Sequence, residues 1–285
     1  MHFLRRLFAI LTTTAIGWAL AAPSWADAPR NWQLGFQTPA SPVMEQIAEL
    51  HTLVLWIITL IMIFVAGLLI YVCWRFSSTR NPTPSRLSHH TGLEIAWTVI
   101  PVLILVVIAI PSFRLVYFVD RTYEADMTIK VVGHQWYWEY IYPGNDNLTF
   151  RSDYVRDEDI KPGQKRLLDV DNPLVLPVGK NVRILTTSAD VLHAFYVPAL
   201  GVQRYSIPGR MVETWVRIDR PGTYYGECNQ ICGTNHSYMP IAVNAVAPAE
   251  FQAWEKLAKV KFAQGEPIPA PAVASEPIRV AQVKH

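Results

Sequence analysis

The sequence predicts a two-helix transmembrane hairpin followed by an all-β domain outside the membrane. Two long apolar stretches without charged residues predict the hairpin, and a later series of short β-type segments between Pro-Gly turns predicts the β domain. Of the 285 residues, 51% are hydrophobic and 17% are charged, whereas soluble globular chains carry about 25% charged residues. The formal net charge of +2 is close to balance, so no nucleic-acid partner is predicted.

Residues 1–26 have the layout of a secretory signal peptide. Arg5 and Arg6 are followed by an apolar run that ends in Ser24-Trp25-Ala26, with small residues at both recognition positions. Cleavage after Ala26 would leave the mature N-terminus outside the cytoplasm. The alternative is that this run is retained as a first transmembrane helix.

Two further segments predict membrane spans. Residues 51–74 contain no Asp, Glu, Lys or Arg, and the same holds for residues 95–113, before Arg114. About 20 apolar residues cross the hydrocarbon core of a bilayer. Spans are therefore expected at about 51–74 and 95–117, within an N-terminal unit covering residues 27–120. Pro101 and Pro111 predict a kink in the second span.

The charges that flank the spans predict the orientation of the hairpin. The connecting loop carries Arg75, Arg80 and Arg86 and no acid, whereas residues 27–50 carry Arg30 as their one basic residue. Basic loops stay in the cytoplasm, so both ends of the mature chain are expected outside. The residues after Asp120 then form an outer domain, and the predicted location is the inner membrane of a bacterium with this domain on the periplasmic side.

The outer domain, residues 121–262, is predicted to be all-β. Six segments are rich in β-branched and aromatic residues: 127–132, 135–142, 182–187, 211–218, 223–226 and 241–246. Many short strands between Pro-Gly turns indicate a sandwich or a Greek-key barrel. A helix is expected at about 249–259, opened by Pro248. The proline-rich residues 263–285 are predicted to be a disordered tail.

One loop concentrates the residues that can bind a soft metal ion. Cys228, Cys232, His236 and Met239 lie within twelve residues, and thiolate, imidazole and thioether ligands together suit copper. Two cysteines can supply two bridging sulfurs, which fits a pair of copper ions. His193 can add a second imidazole, so that each histidine terminates one copper. Since the compartment is oxidising, a disulfide between the two cysteines is the alternative.

Several motifs resemble subunit II of the haem–copper cytochrome c oxidases. They are the stretches 33–37, 133–138, 190–193, 207–210 and 225–233, which read QLGFQ, GHQWYW, DVLH, IPGR and YGECNQICG. The resemblance covers nearly the whole mature chain. It implies a cupredoxin-like Greek-key barrel that holds the dinuclear copper A centre. It also implies electron transfer from cytochrome c to subunit I, within a complex that reduces oxygen to water, translocates protons and includes subunit III and membrane lipid.

The resemblance also assigns roles to individual residues. The implied copper ligands are the side chains of His193, Cys228, Cys232, His236 and Met239 and the backbone carbonyl of Gln230. Trp136, with Tyr137 beside it, is implied as the surface residue that takes up the electron, and Glu94 as the group at the mouth of a proton channel. Asp171 and Asp190 are implied as acids that dock the donor. Asp146 is predicted to dock it as part of an acidic face, because five acids stand against two bases and give a local charge of −3: Asp146, Asp153, Asp157, Glu158 and Asp159 against Arg151 and Arg156. A solvated loop is the alternative for this cluster. The chain has no independent active site, so enzymatic activity belongs to the complex.

The chain departs from the family pattern at two positions. The family usually has a glutamate in place of Gln230, and this glutamate helps to bind magnesium at the boundary with subunit I. An amide brings no charge, so the resemblance does not extend to the magnesium site. Tyr205 stands where the family tends to have an aspartate. Two other functions are alternatives: a copper-binding cupredoxin-like membrane protein outside the oxidase, and a quinol oxidase subunit II, which would lack the copper ligands.

Overall fold

The computed structural model describes residues 28–120, 124–144, 146 and 148–263. The predicted signal peptide and the predicted tail, apart from residue 263, lie outside the described residues. The described residues contain three α-helices: α1 (Pro42–Arg75), α2 (Thr91–Asp120) and α3 (Pro248–Ala263). Helix α3 is longer than the predicted 249–259 at its C-terminal end, where Phe262 stacks on Phe150 with 4.6 Å between ring centroids.

Helices α1 and α2 form the hairpin, and each is long and apolar enough to cross a membrane. They have 34 and 30 residues, so both exceed the predicted spans. The additional residues at the start of α1 belong to the contact with the outer domain, because Val43 and Met44 are buried there. Most of the remaining apolar surface of both helices is exposed in the isolated chain, as expected for helices that face lipid or partner subunits.

Polar contacts attach the outer ends of both helices to the β domain. Ser41 caps α1 by accepting a hydrogen bond from the backbone of Met44 (3.1 Å), and its hydroxyl donates to the carbonyl of Leu200 (2.7 Å). At the end of α2, Arg204 Nη2 bonds Asp120 Oδ1 at 2.6 Å. These contacts fix the side of the hairpin on which the domain stands.

The outer domain consists of two five-stranded sheets packed against each other. The strands are β1 (Met127–His134), β2 (Tyr137–Tyr142), β3 (Leu148–Ser152), β4 (Leu174–Pro177), β5 (Asn181–Ser188), β6 (His193–Val197), β7 (Val202–Ser206), β8 (Val212–Arg217), β9 (Gly222–Cys228) and β10 (Pro240–Val246). The strand orders are β3-β2-β1-β5-β8 and β4-β10-β9-β6-β7. The predicted β fold is confirmed. The six predicted segments correspond to β1, β2, β5, β8, β9 and β10, whereas β3, β4, β6 and β7 were not among them.

The core between the sheets is aromatic. Trp138, Tyr140 and Tyr142 alternate along β2 and point to the same side. Trp138 is fully buried and meets Phe195 of the opposite sheet edge-to-face, with 5.3 Å between ring centroids. This packing holds the two sheets in a fixed relation at the end of the sandwich where β6 and β9 meet.

Candidate metal centre

The soft-ligand loop lies between β9 and β10 at one end of the sandwich. Strand β9 ends at Cys228 and pairs with β6, so that Phe195 lies opposite Cys228 in the register. The backbone N–H of Cys228 donates to the carbonyl of Met239 (3.1 Å), and that of Asn229 donates to Ala194 (3.1 Å). The loop is therefore closed at its base and tied to the strand that begins with His193.

Four donor groups converge inside this loop. The Sγ atoms of Cys228 and Cys232 lie 3.9 Å apart and are not bonded to each other. Nδ1 of His193 is 3.9 Å from Sγ of Cys228, and Nδ1 of His236 is 3.5 Å from Sγ of Cys232. Two sulfur ligands at about 2.3 Å from a tetrahedral metal ion stand about 3.8 Å apart. The spacing therefore fits sulfurs that share a metal ion.

Two further groups extend this set. The carbonyl oxygen of Gln230 lies 3.3 Å from Sγ of Cys228. Met239, which ends the loop, is buried, and its backbone carbonyl accepts a hydrogen bond from the N–H of Cys228. The structure thus brings donor atoms of five predicted ligands close together and places Met239 beside Cys228 through the backbone.

Burial sets the protonation of the metal-free site. It raises the pKa of the Cys232 thiol to about 12, and the neighbouring Cys228 thiol adds to this rise. Burial also lowers the pKa of His193, although the Asp190 carboxylate opposes that effect. The Cys232 thiol and the His193 imidazole therefore favour their neutral forms. A cation that displaces the thiol protons would supply the charge that stabilises buried thiolates.

Asp190 orients the histidine of this site. Its Oδ1 accepts a hydrogen bond from Nε2 of His193 (2.8 Å) and one from the backbone of Val191 (2.6 Å), while Oδ2 accepts from the backbone of Gln135 (2.6 Å). Burial alone would raise the pKa of Asp190, but these hydrogen bonds outweigh it and hold the pKa below its usual range. Because Nε2 carries the proton towards the carboxylate, the lone pair of Nδ1 faces Cys228. From the sequence, Asp190 is predicted only as a docking acid, and this orienting contact is not predicted.

The turn between β1 and β2 rests directly on the loop. Nε2 of Gln135 donates to the backbone carbonyl of Cys232 (2.8 Å), and Nε1 of half-buried Trp136 donates to the same oxygen (3.3 Å). Gly233 permits this approach, since an added Cβ would lie 2.9 Å from the Trp136 ring, and its φ of +126° favours glycine. Tyr137 is buried behind Trp136. The sequence predicts no role for Gln135, although this residue lies within the motif at 133–138.

The other predicted site residues lie away from the loop. Glu94 is in the first turn of α2, about 40 Å along the helix from its outer end at 1.5 Å per residue. Asp146 follows β2, which runs away from Trp136 for about 17 Å over its five steps. Asp171 accepts hydrogen bonds from the backbone of Asp153 (2.8 Å) and Asn172 (2.7 Å), and burial raises its pKa.

The acidic cluster predicted for docking is largely paired with cations. From the sequence, five acids stand against Arg151 and Arg156. In the structure all five carboxylates have basic partners: Asp146 with Lys259, Asp153 with Arg151, Asp157 with Arg166, and both Glu158 and Asp159 with Arg156. Five carboxylates against four cations leave a local charge of −1, which is smaller than the −3 counted from the sequence.

Comparison with known proteins assigns the family. The model "Cytochrome C oxidase subunit II, transmembrane domain" matches residues 29–115, and "Cytochrome C oxidase subunit II, periplasmic domain" matches residues 127–246. A probable cytochrome c oxidase subunit 2 of Rickettsia bellii (strain RML369-C) is 47% identical over 93% of this chain and 97% of its own length. That of Rickettsia felis (strain ATCC VR-1525 / URRWXCal2) is 52% identical over 81% and 73%.

Among solved structures, the periplasmic domain of subunit II of cytochrome oxidase from Bradyrhizobium japonicum is 46% identical. It covers 50% of this chain and 99% of its own, with a TM-score of 0.47. The chain belongs to the cytochrome c oxidase subunit II family. It is therefore a membrane protein with two spanning helices and a subunit of a cytochrome c oxidase, which is an oxidoreductase complex, and the family predicted from the sequence is confirmed.

Gly133 is a sensitive position next to the centre, since an added Cβ would lie 2.8 Å from Cδ2 of His193. Gly133→Ala is expected to displace the imidazole and to weaken copper binding by about 10- to 100-fold, the range for disturbed supports of metal ligands. Titration of copper into the full chain in detergent measures this. Gly144→Ala is the matched control, because nothing lies within 4 Å of its added Cβ. Equal copper affinities in the two variants would contradict the expectation.

Proposed function

We propose that this chain accepts electrons from a cytochrome c at a dinuclear copper A centre and passes them to the haem-bearing subunit I for the reduction of oxygen to water coupled to proton translocation. The observation that carries the proposal is the row of donors His193, Cys228, Cys232 and His236, in which neighbouring donor atoms lie 3.5–3.9 Å apart. Family membership supports it, because the resemblance implies copper A for this family.

The donor set suits two ions better than one. The two sulfurs lie between the two imidazoles in the order of neighbouring donor atoms, so these four side chains would hold a pair of copper ions. Met239 and the carbonyl of Gln230 are proposed as the remaining ligands. When bound, the copper pair would supply a one-electron acceptor and donor. We propose no magnesium site, because the Gln230 amide brings no charge to the boundary with subunit I.

The protein supplies a dry and rigid surrounding for this chemistry. His193, Cys228, Cys232 and Met239 are each at most 4% exposed, so water is excluded from these four side chains, whereas His236 is partly exposed. Asp190 holds the His193 ring from one side, while Gln135 and Trp136 fix the carbonyl of Cys232 from the other. Such preorganised contacts keep ligand positions constant when charge changes.

Trp136 is proposed as the residue through which the electron enters, with buried Tyr137 as its support. The half-buried indole connects the outside of the domain to the Cys232 carbonyl through one hydrogen bond of 3.3 Å.

For membrane placement we propose a bacterial inner membrane, with the domain on the periplasmic side. The arginines of the loop between α1 and α2 support this orientation.

The cysteines test the copper proposal. Cys228→Ser and Cys232→Ser are each expected to abolish the two-copper state, because a hydroxyl cannot replace a bridging thiolate. Copper per chain, measured by elemental mass spectrometry of the full chain in detergent, shows this. Cys73→Ser is the control: this free thiol lies on α1, within the predicted span, and its loss should leave the count at the wild-type value. Two coppers in either loop variant would refute the ligand assignment.

Trp136→Ala is expected to slow reduction of the copper centre by cytochrome c at least about tenfold, since both the ring and its hydrogen bond to Cys232 are lost. Trp136→Phe keeps a ring and should lie between wild type and alanine. Stopped-flow reduction of the assembled oxidase measures the rates. Trp254→Phe, whose ring packs on Phe150 of β3, controls for loss of an indole. A wild-type rate in Trp136→Ala would rule out uptake at this residue.

Asp146, Asp171 and Asp190 are proposed to dock the donor, but the ion pair of Asp146 and the hydrogen bonds of the other two weaken their attraction for a basic partner. The association rate should fall as ionic strength rises, with a shallow slope, because exposed charges steer encounter and salt screens them. Asp146→Asn should change the low-salt rate less than twofold, since Asp146 already pairs with Lys259 at 2.9 Å. A steep salt dependence, or a large effect of Asp146→Asn, would show that the paired acids still act as a docking charge.

Glu94 is proposed as the proton-uptake residue on the cytoplasmic side. Glu94→Gln should slow steady-state turnover of the assembled oxidase while leaving reduction of copper by the donor unchanged. Glu45→Gln is the matched control, because Glu45 occupies the first turn of α1 at the opposite, outer end of the hairpin. Equal turnover of the two variants would show that Glu94 is only a helix-terminal carboxylate favoured by the helix dipole.

A further inference from the structure

We propose that Arg151 is a positioning residue for electron uptake, which it serves by clamping the hairpin turn that carries Trp136. The inference rests on the proposed function, because it concerns the residue through which the electron enters. Arg151 lies on β3, one strand away from the turn, and none of the sequence motifs includes it. Its contacts give it this role.

Arg151 forms the outer layer of a three-part stack. Its guanidinium carbon lies 3.7 Å from the ring centre of Tyr137. The opposite face of Tyr137 stacks on His134, with 4.4 Å between ring centroids and 6° between planes. The guanidinium is planar and spreads over an aromatic face. As a result, Tyr137 is held on both faces and is only 7% exposed.

Both ends of the stack are anchored by carboxylates. Asp153 accepts two hydrogen bonds from Arg151, from Nη2 at 2.5 Å and from Nε. Oε2 of Glu139 lies 3.2 Å from Nε2 of His134. Glu139 is also the register partner of Arg151 across β2 and β3. Residues of three adjacent strands therefore lock the stack in place.

The stack closes the β1–β2 hairpin at its last pair. His134 and Tyr137 are register partners, and only Gln135 and Trp136 lie beyond them. Both of these residues donate to the carbonyl of Cys232. Restricting the closing pair restricts the two-residue turn, and with it the distance from the indole to the copper loop. Without the guanidinium, one face of Tyr137 loses its partner and the turn gains freedom.

A direct docking role is the competing explanation for Arg151. The two roles separate because a lysine keeps the positive charge but lacks the planar group that stacks on Tyr137. If Arg151 holds the turn in place, Arg151→Lys should slow copper reduction as Arg151→Ala does. If Arg151 docks the donor through its charge, Arg151→Lys should keep the wild-type rate. In addition, the charge of Arg151 is already engaged by Asp153, which leaves less of it for a donor.

The experiment compares Arg151→Lys and Arg151→Ala with Arg166→Ala in the assembled oxidase. Arg166 is the control because it also pairs with an aspartate, Asp157 at 2.9 Å, and is 55% exposed. Both Arg151 variants should slow copper reduction at saturating donor about five- to tenfold, with donor affinity and copper paramagnetic resonance unchanged. Arg166→Ala should keep the wild-type saturating rate. A wild-type rate in Arg151→Lys, or a loss confined to donor affinity, would overturn the proposal.

A second measurement on the metal-free full chain is independent of turnover. The amide of Gln135 is hydrogen-bonded to Asp190 at 2.6 Å, so its hydrogen exchange reports the order of the turn. Exchange at Gln135 should accelerate about tenfold in both Arg151 variants, and unchanged protection would contradict the clamp. Trp136→Ala is compared with the Arg151 variants in the copper-reduction experiment. A wild-type rate of copper reduction in Trp136→Ala refutes electron uptake at Trp136 itself. Slow copper reduction in Trp136→Ala, together with wild-type rates in the Arg151 variants, refutes only the positioning role.

Discussion

The pairing of β6 with β9 is the constraint on which the metal centre depends. His193 and Cys228 are 35 residues apart in sequence, and they meet because Phe195 and Cys228 are partners in this antiparallel pair. Side chains alternate between the two faces of a strand, so a slip of one residue would turn Cys228 away from the histidine. The buried aromatic packing of Trp138 against Phe195 holds β6 in place and thereby protects this register.

A second junction forms where the β1–β2 turn meets the copper loop. One carbonyl oxygen, that of Cys232, receives hydrogen bonds from both residues of the turn, and Asp190 links the same turn to His193. The proposed electron path and the proposed ligand geometry therefore share one set of supports. A change in the loop therefore moves the indole through the shared Cys232 carbonyl. Glycines at 133 and 233 are required because an added Cβ would lie 2.8 Å from the His193 ring at the first position and 2.9 Å from the Trp136 ring at the second.

The sequence predicted much of this arrangement because its strongest signals are local. Uncharged apolar runs predicted the spans, and soft donors within twelve residues predicted the metal loop. The strand predictions failed for β3, β4, β6 and β7, each of four or five residues, which are too short for a clear alternation. Ion pairs between distant residues were also beyond sequence reasoning: Asp146 and Lys259 are 113 residues apart, so the acidic cluster looked more negative than it is. Asp190 lies three residues from His193, but only the fold shows that its carboxylate bonds the ring.

The proposed dinuclear centre is tested most directly by electron paramagnetic resonance of the copper-loaded full chain, combined with a copper count on the same sample. We expect two coppers per chain and a hyperfine pattern from one unpaired electron shared between two equivalent copper nuclei. A single copper with the four-line pattern of one nucleus would contradict it. A disulfide between Cys228 and Cys232 in the native, copper-loaded protein would contradict it equally.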